Sequence, residues 1–405
     1  MQRLARLVVP FRRNMSHSRL ESTTLFVGSY GGSLPHVNGK GKGVRVVHVA
    51  KKDVSVDPPS PLWSKTGPVN PSYVALHPKL DVVYAVDEQE DDGCVFAFAV
   101  SKDSELSEIS KVSSHGKACA NLMVEPNGKF LLVANYDGGP LCSFALDSDT
   151  GAITKVSDIA SECFAATAGS LGPHEARQDK SHPHQCYAQK QADGVIHIFA
   201  CDLGKDYIHR FALSEHGKLT PLGGVSFPPG SGPRHVTFHP KLPHIMFVVC
   251  ELTSILCTVD LSGASPHIAS GFLSTLDGCA QPTPDSTSTA AAIDVHPSGD
   301  FVYCSNRIAG SSYGSFSQFR FNNGSLSFES CFSSHGSCPR ELKVDPNGER
   351  IFLCNQGGTE LPGDEVGSIV CFSLDAKTGR PGVEPVFIER TCATPVALAI
   401  RSHAC

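Results

Sequence analysis

The sequence has few charged residues and no long apolar run, and these two features exclude several classes of protein. Only 18% of its 405 residues are charged, and the formal net charge is −6 at pH 7. We find no basic stripe interleaved with aromatic residues, so nucleic acid is not an expected partner. A membrane-spanning helix needs about 18 consecutive apolar residues, and no such run occurs, so no membrane association is expected.

Cysteine is abundant, but the spacing typical of metal sites and of redox motifs is missing. The chain has 16 cysteines without a CxxC pair, and no secretory signal precedes them. Most lie inside apolar strand patterns, as do Cys142, Cys201, Cys250, Cys257, Cys304, Cys354 and Cys371. We therefore expect reduced, buried thiols and a cytoplasmic location.

The first 22 residues differ in composition from the rest of the chain. Five arginines precede the first acidic residue, Glu21: they are Arg3, Arg6, Arg12, Arg13 and Arg19. This composition is typical of a mitochondrial transit peptide, and a short disordered leader is the alternative. We favour a disordered leader over residues 1–22, followed by a single domain over residues 23–405.

An internal repeat dominates that domain. Six times an apolar run reaches a turn such as His-Pro or Asp-Pro, and a second apolar run then ends in polar residues. The copies cover residues 71–88, 119–136, 183–202, 233–251, 291–307 and 339–356. Proline followed by Asn-Gly or Ser-Gly favours a tight turn, so each copy begins with a β-hairpin. Hairpins that repeat roughly every 50 residues predict an all-β protein with a β-propeller fold.

The two ends of the chain complete the predicted ring. Residues 395–400 resemble an isolated first strand, residues 24–32 a second strand and residues 44–50 a third strand of the same unit. We therefore predict that the N- and C-terminal strands share one blade, which closes the ring and removes exposed sheet edges. With six copies and this shared blade, the sequence predicts a seven-bladed β-propeller.

Polar residues of different repeats are expected to meet at one rim of the channel. In a hairpin, the start of strand one and the end of strand two lie at the same end, opposite the turn. Aligned on the turns, the strand-two ends are Ser29, Asp87, Asn135, Asp202, Glu251, Asn306 and Asn355. A second set follows directly, namely Tyr30, Glu88, Tyr136, Arg307 and Gln356, and strand-one starts add His184, Arg234 and Arg340. The asparagines have a second explanation, because Asn at a strand end often satisfies loose backbone groups.

The motifs around this rim resemble those of a known family. Gly232-Pro233-Arg234-His235 before His239-Pro240, His182-Pro183-His184-Gln185 and Cys250-Glu251-Leu252 are similar to motifs of the seven-bladed propeller lactonases. That family includes bacterial-type 6-phosphogluconolactonases and fungal carboxy-cis,cis-muconate cyclases, and the resemblance covers residues 23–400. It implies the catalytic set His184, Glu251, Arg234 and Arg307, with no metal and no other cofactor.

The resemblance implies hydrolysis of 6-phosphogluconolactone to 6-phosphogluconate in the pentose phosphate pathway. The partner is then a small anionic lactone or dicarboxylate. The general base is either His184 or Glu251, and we favour His184 because neighbouring arginines lower the pKa of a carboxyl group. The remaining rim residues are expected to bind substrate: Arg340, Asp87, Asn135, Asp202, Asn306 and Asn355.

Three alternatives stay open at this point. One is cyclisation of a muconate, and another is a calcium site built from the ring of carboxylate and amide oxygens at the rim. The third is a propeller that only binds other proteins. A polar insertion at residues 163–182 precedes His184 and is expected to fold over the channel mouth. The sequence sets no expectation for the oligomeric state.

Overall fold

A computed structural model describes residues 23–49, 54–56, 67–165, 171–191, 193–263, 265–279, 288–308, 313–357 and 366–402. The predicted leader lies outside these residues. Seven four-stranded antiparallel sheets fill most of the described chain, which confirms the seven-bladed propeller. A 3₁₀ helix at Glu162–Phe164 is the one helix in that part. Among the described residues, no helix has the length and apolar character needed to cross a membrane.

We number the strands along the chain and describe each blade from the channel outward. Blade 1 consists of β30 (Pro395–Ser402), β1 (Thr23–Ser29), β4 (Gly43–Val49) and β5 (Val54–Val56). Blade 2 consists of β6 (Val74–Leu76), β7 (Val82–Asp87), β8 (Asp92–Val100) and β9 (Leu106–Lys117). Blade 3 consists of β10 (Cys119–Val124), β11 (Phe130–Asn135), β12 (Leu141–Leu146) and β13 (Ile153–Ala160). Blade 4 consists of β14 (Pro183–Lys190), β15 (Ile196–Asp202), β16 (Tyr207–Leu213) and β17 (Leu219–Ser226); blade 5 of β18 (Pro233–Phe238), β19 (Ile245–Cys250), β20 (Ile255–Asp260) and β21 (His267–Ser274). Blade 6 consists of β22 (Thr289–Val295), β23 (Phe301–Arg307), β24 (Ser315–Asn322) and β25 (Ser325–Ser333); blade 7 of β26 (Pro339–Val344), β27 (Arg350–Asn355), β28 (Ser368–Ser373) and β29 (Phe387–Glu389). A small hairpin, β2 (Ser33–Leu34) and β3 (Val37–Asn38), stands outside the blades.

Blade 1 closes the ring as predicted. Strand β30 pairs antiparallel with β1, with Leu25 opposite Ile400 and Val27 opposite Leu398. Strand β30 also contacts the innermost strands of blades 7 and 2, β26 and β6. The ends of the described chain are therefore held together by a sheet ladder, and no innermost strand is left as an open edge.

Apolar cores lie between neighbouring blades. The described residues form seven buried clusters, each shared by two adjacent blades. Strands β7, β11 and β19 are buried along their whole length, because each is covered by a neighbouring blade on both faces. Burial on both faces explains why the second strand of each repeat is a continuous apolar run instead of an alternating one.

The histidines of the His-Pro turns are structural. His77 Nε2 lies 3.0 Å from the Gly128 carbonyl of the next blade, and its Nδ1 accepts the backbone N–H of Leu80 at 2.9 Å. His296 makes the same contact to the Gly348 carbonyl, also at 3.0 Å. These side chains connect the turns of adjacent blades at the end of the channel opposite the polar rim.

The cysteine prediction is confirmed in part and corrected at one pair. The seven cysteines predicted to be buried thiols are all buried and free. Cys279 and Cys331, however, form a disulfide across a Cα–Cα distance of 5.4 Å. They are 52 residues apart, and only the packing of blade 5 against blade 6 brings them together, so no local sequence pattern indicated the pair.

Candidate active site

A bulge at the start of several innermost strands sets the orientation of the predicted site residues. The register of β10, β14, β18 and β26 slips by one residue directly after the first pair. The residues skipped are Ala120, His184, Arg234 and Arg340. A bulge turns the skipped side chain away from the regular pleat. The bulges of β14, β18 and β26 in this way direct three predicted site residues, His184, Arg234 and Arg340, to the channel.

A second set of site residues directly follows strand two. The backbone N–H groups of Glu88, Tyr136 and Glu251 each donate to a carbonyl that precedes strand one of the same blade. Their side chains line a common cavity, together with Arg307 at the corresponding place in blade 6. The residue directly after strand two is therefore the one whose polar side chain lines the cavity.

The alignment of Glu251 with Asn135 is wrong by one residue. Cys250 pairs with Pro233 in the way that Asn135 pairs with Cys119, so Glu251 corresponds to Tyr136. The turn from His239 to Ile245 contains one residue more than the equivalent turn of blade 2. Because of this extra residue, alignment on the turns placed Glu251 among the strand-two ends instead of among the residues that directly follow them.

The asparagines predicted to bind substrate do not line the cavity. Asn135, Asn306 and Asn355 are completely buried. Their amide groups donate to the carbonyls of Ser114 at 3.0 Å, Thr275 at 2.7 Å and Ser334 at 2.9 Å. This favours the second explanation, because each amide bonds to the backbone near the end of the outermost strand of the preceding blade.

The two aspartates predicted to bind substrate are also committed to the backbone. Asp87 Oδ1 accepts the N–H of Val69 at 3.0 Å and of Asn70 at 2.8 Å, and Asp202 accepts the N–H of His182 at 2.8 Å. Neither lines the cavity, so the structure does not bring them together with the other predicted site residues. The oxygen ring that suggested calcium is not formed, and no three His, Cys, Asp or Glu side chains of the described chain are arranged to bind a metal.

A cavity of about 660 Å³ opens at the polar rim. Its charged and aromatic lining is contributed by His36, Glu88, Glu90, Tyr136, Asp137, Arg177, Asp179, His182, His184, Glu251, Arg307 and Arg340. Four residues predicted from the sequence, His184, Glu251, Arg307 and Arg340, are thus brought together. Arg234 lies directly beneath them and is 2% exposed.

Glu251 is the centre of an arginine cluster. Its Oε1 lies 2.5 Å from Arg177, and its Oε2 lies 2.8 Å from Arg234 and 2.9 Å from Arg307. Burial alone would raise the pKa of Glu251, but the three guanidinium groups outweigh it and hold the pKa well below its usual value. Three positive charges against one carboxylate leave a net positive charge at this side of the cavity.

Two of these arginines are fixed by the backbone. Arg234 donates to the Ala291 carbonyl at 2.7 Å and Arg307 to the Ala290 carbonyl at 3.0 Å. Burial and the charge of Arg307 lower the pKa of Arg234 to about 9, so it stays protonated at neutral pH. Strands β18 and β23 therefore present rigid cations.

His184 is a neutral base in a positively charged site. It is 7% exposed, with its ring 5.4 Å from that of Tyr136 and 5.2 Å from that of His235. Burial and the nearby Arg234 lower the pKa of His184 well below its ordinary value. Its Nδ1 is buried and has no hydrogen-bond partner among the described residues, while the side chain lines the cavity.

A second network in the cavity lining is built around Arg340. Arg340 donates to the Tyr30 hydroxyl at 3.0 Å, and that hydroxyl donates to Glu88 at 2.9 Å. His36 of the small hairpin lies 3.3 Å from the same hydroxyl. Here one guanidinium is balanced by one carboxylate, in contrast to the excess of positive charge around Glu251.

Sequence reasoning missed Arg177 as a site residue. Segment 171–182 lies at the channel mouth, as expected of the polar insertion, and contributes Ala176, Arg177, Asp179 and His182 to the cavity. Arg177 has no equivalent in the other repeats, so an alignment of the repeats gave it no place. The one available signal was a charged residue inside an insertion next to His184.

Comparison with known families identifies the fold and its relatives. Residues 24–385 match the family model "Lactonase, 7-bladed beta-propeller". A 6-phosphogluconolactonase of Bacillus subtilis strain 168 is 29% identical over 358 residues, which cover 88% of this chain and 92% of the relative. A 6-phosphogluconolactonase of Formosa agariphila is 28% identical over 365 residues, covering 88% of this chain and 94% of the relative.

Solved structures agree on the architecture. A candidate 6-phosphogluconolactonase of Bacteroides fragilis superposes with a TM-score of 0.77 at 23% identity, over 94% of this chain and 98% of the other. The periplasmic gluconolactonase of Pseudomonas aeruginosa gives a TM-score of 0.75 at 22% identity, over 94% and 99% of the two chains. At this level of identity the similarity shows the shared fold.

Proposed function

The chain belongs to the seven-bladed β-propeller lactonase family, and from that premise we propose that it hydrolyses 6-phosphogluconolactone to 6-phosphogluconate, a step of the pentose phosphate pathway. The observation that carries the proposal is a neutral histidine that lines one cavity together with a cluster of arginines. The names of the Bacillus subtilis and Formosa agariphila relatives support the choice of substrate.

Charge sets the orientation of the substrate in this proposal. A phosphate monoester carries close to two negative charges at neutral pH, and the cluster around Glu251 has an excess of positive charge. Guanidinium groups bind phosphate oxygens through paired N–H donors. The phosphate therefore lies at this cluster, and the lactone ring extends towards His184 and Arg340.

His184 acts as the general base and then as the acid. Its neutral imidazole removes a proton from a water molecule, whose oxygen bonds to the lactone carbonyl carbon. Arg340 stabilises the negative charge that develops on the carbonyl oxygen. When the bond between the carbonyl carbon and the ring oxygen breaks, the imidazolium returns its proton to the departing alkoxide, and the acid product forms.

Glu251 is a positioning residue in this mechanism. Both of its oxygens are paired with guanidinium groups, and its lowered pKa makes it a weak base. Its role is to hold Arg234 and Arg307 in fixed positions before substrate enters. Less reorganisation is then needed when charge develops.

The direct test is an assay of the purified protein with two substrates. Acid release from 6-phosphogluconolactone is followed against spontaneous hydrolysis in buffer, and carboxymuconate is followed by its ultraviolet absorbance. We expect acceleration of lactone hydrolysis. No acceleration over buffer overturns the proposal, and turnover of carboxymuconate in its place selects the cyclase activity.

A substitution of His184 tests its role. We expect His184→Gln to lower kcat by about a hundredfold or more, because a positioned general base contributes at least that much. His197→Gln is the matched control, since His197 lies on β15 of the same blade and outside the cavity. A kcat of His184→Gln equal to that of the control contradicts the assignment.

A further inference from the structure

We propose that Arg177 is a specificity-determining residue. Its guanidinium breaks its contact with Glu251 and binds the phosphate of the substrate instead. The inference rests on the proposed lactonase function and adds to it a residue and a means of selecting phosphorylated over unphosphorylated lactones. Arg177 lies in the segment that precedes β14, and it reaches across the mouth of the cavity to Glu251.

Arg177 differs from the two other arginines of the cluster in how it is held. Arg234 and Arg307 each donate to a backbone carbonyl of blade 6 and share Oε2 of Glu251. Arg177 alone contacts Oε1, and its other hydrogen bond is a long one of 3.4 Å to the Tyr136 hydroxyl. Its guanidinium is therefore the member of the cluster whose partners a ligand can replace.

The exposure of the three side chains supports the same distinction. Arg177 is 41% exposed, whereas Arg307 is 17% exposed and Arg234 only 2%. An incoming anion thus meets Arg177 first. Arg177 stays ion-paired in the exchange, because a phosphate oxygen takes the place of the Glu251 oxygen.

The backbone beneath Arg177 is well anchored, so the exchange requires movement of the side chain alone. The N–H of Arg177 donates to the His174 carbonyl at 2.9 Å. The amide of Gln178 donates to the Leu203 carbonyl at 2.8 Å, and the N–H of Gly172 donates to the Gly204 carbonyl at 3.0 Å. A fixed backbone keeps the guanidinium within reach of both the carboxylate and the cavity.

Charge balance explains why the ligand is a dianion. Before binding, Glu251 neutralises only one of the three guanidinium groups around it. A phosphate monoester dianion compensates the remaining excess, whereas an uncharged hydroxymethyl group does not. Glu251 keeps Arg234 and Arg307 as partners when Arg177 moves, so no carboxylate is left buried and unpaired.

The experiment compares two lactones that differ only in the phosphate. Values of kcat/KM are measured for 6-phosphogluconolactone and for gluconolactone with wild type, Arg177→Gln and Arg177→Lys. We expect Arg177→Gln to lower kcat/KM for the phosphorylated lactone about 10- to 100-fold, the range for a lost charge-assisted hydrogen bond. For gluconolactone we expect a change below about threefold, as for a screened charge at the mouth. Arg177→Lys should restore part of the selectivity, since lysine keeps the charge but lacks the planar fork.

A matched control separates direct binding of the phosphate by Arg177 from the general electrostatic effect of a positive charge in segment 171–182. Lys180 lies three residues further on, is 42% exposed and pairs with Asp137 at 2.8 Å. Lys180→Gln removes the same charge and should leave the selectivity ratio unchanged. An equal loss in Lys180→Gln, or an unchanged ratio in Arg177→Gln, overturns the inference while the proposed function stands. If wild type accelerates hydrolysis of neither lactone, the proposed function itself is overturned, and this inference with it.

Discussion

At the scale of single residues, the site is organised around a buried carboxylate that does not act as a base. A carboxyl group as buried as Glu251 would normally be protonated more easily, yet three guanidinium groups reverse the direction of its pKa shift. The same arrangement keeps three like charges within one small volume. Glu251 therefore contributes to both stability and function, and the two effects can be separated by measurement.

We expect Glu251→Gln to lower the free energy of unfolding by about 3–5 kcal/mol, the usual cost of removing one member of a buried ion pair. The neutral amide leaves Arg234, which is 2% exposed, without a compensating charge. Glu329→Gln is the control, because Glu329 forms an exposed pair with Arg320 at 2.7 Å and should contribute at most about 1 kcal/mol. Urea unfolding of both variants measures the difference, and equal losses would show that Glu251 is not structurally important.

At the scale of the element, the end of each second strand divides into a structural and a functional position. The structural position is occupied by Asp87, Asn135 and Asn355, whose side chains bond to the backbone. The position directly after it points into the cavity and carries Glu88, Tyr136, Glu251 and Arg307. A shift of one residue thus decides whether a polar side chain bonds to the backbone or lines the cavity.

This division predicts a loss of stability without a loss of substrate binding for Asn355→Ala. The buried amide of Asn355 donates to the Ser334 carbonyl at 2.9 Å and lies 3.1 Å from the Ser368 hydroxyl. Leaving that carbonyl without a donor costs about 1–3 kcal/mol. Asn347→Ala, at an exposed turn of the same blade, should change nothing. Unfolding midpoints and KM are measured for both, and a raised KM at unchanged stability would return Asn355 to the substrate site.

At the scale of the whole molecule, the number of blades and the closure of the ring could be predicted from the sequence. Turn residues and apolar runs recur in every copy, and strand β30 is recognisable because it lacks the rest of its repeat. The rim residues His184, Arg307 and Arg340 could be predicted for the same reason.

Features outside the repeat could not be predicted in this way. Arg177 lies in an insertion without an equivalent, and Cys279 and Cys331 meet only because two blades pack against each other. Periodicity therefore identifies what the blades share, whereas the features that differ between blades depend on tertiary contacts. In the proposed mechanism, those differences supply the selectivity and the shared features supply the scaffold.

The buried histidines make the stability of the whole ring depend on pH. Burial, together with Arg234, lowers the pKa of His184 and of His235 well below the ordinary value of 6.5. Below pH 6.5 the unfolded chain then binds protons that the folded chain does not, so the free energy of unfolding falls as the pH is lowered. Between 6.5 and the folded pKa, each histidine contributes a slope of up to about 1.4 kcal/mol per pH unit.

The variant that isolates this effect is His235→Gln, because His235 is buried but does not line the main cavity. We expect the slope between pH 5 and 6.5 to be shallower than in wild type by up to about 1.4 kcal/mol per pH unit. Glu251 makes no comparable contribution there, because its lowered pKa keeps it ionised in the folded chain and its stabilising effect is lost only at more acidic pH. Urea unfolding at intervals across this range measures the slope. Equal slopes for wild type and His235→Gln would mean that His235 is protonated in the folded ring, and the positive charge beneath the cavity would then be larger than the structure indicates.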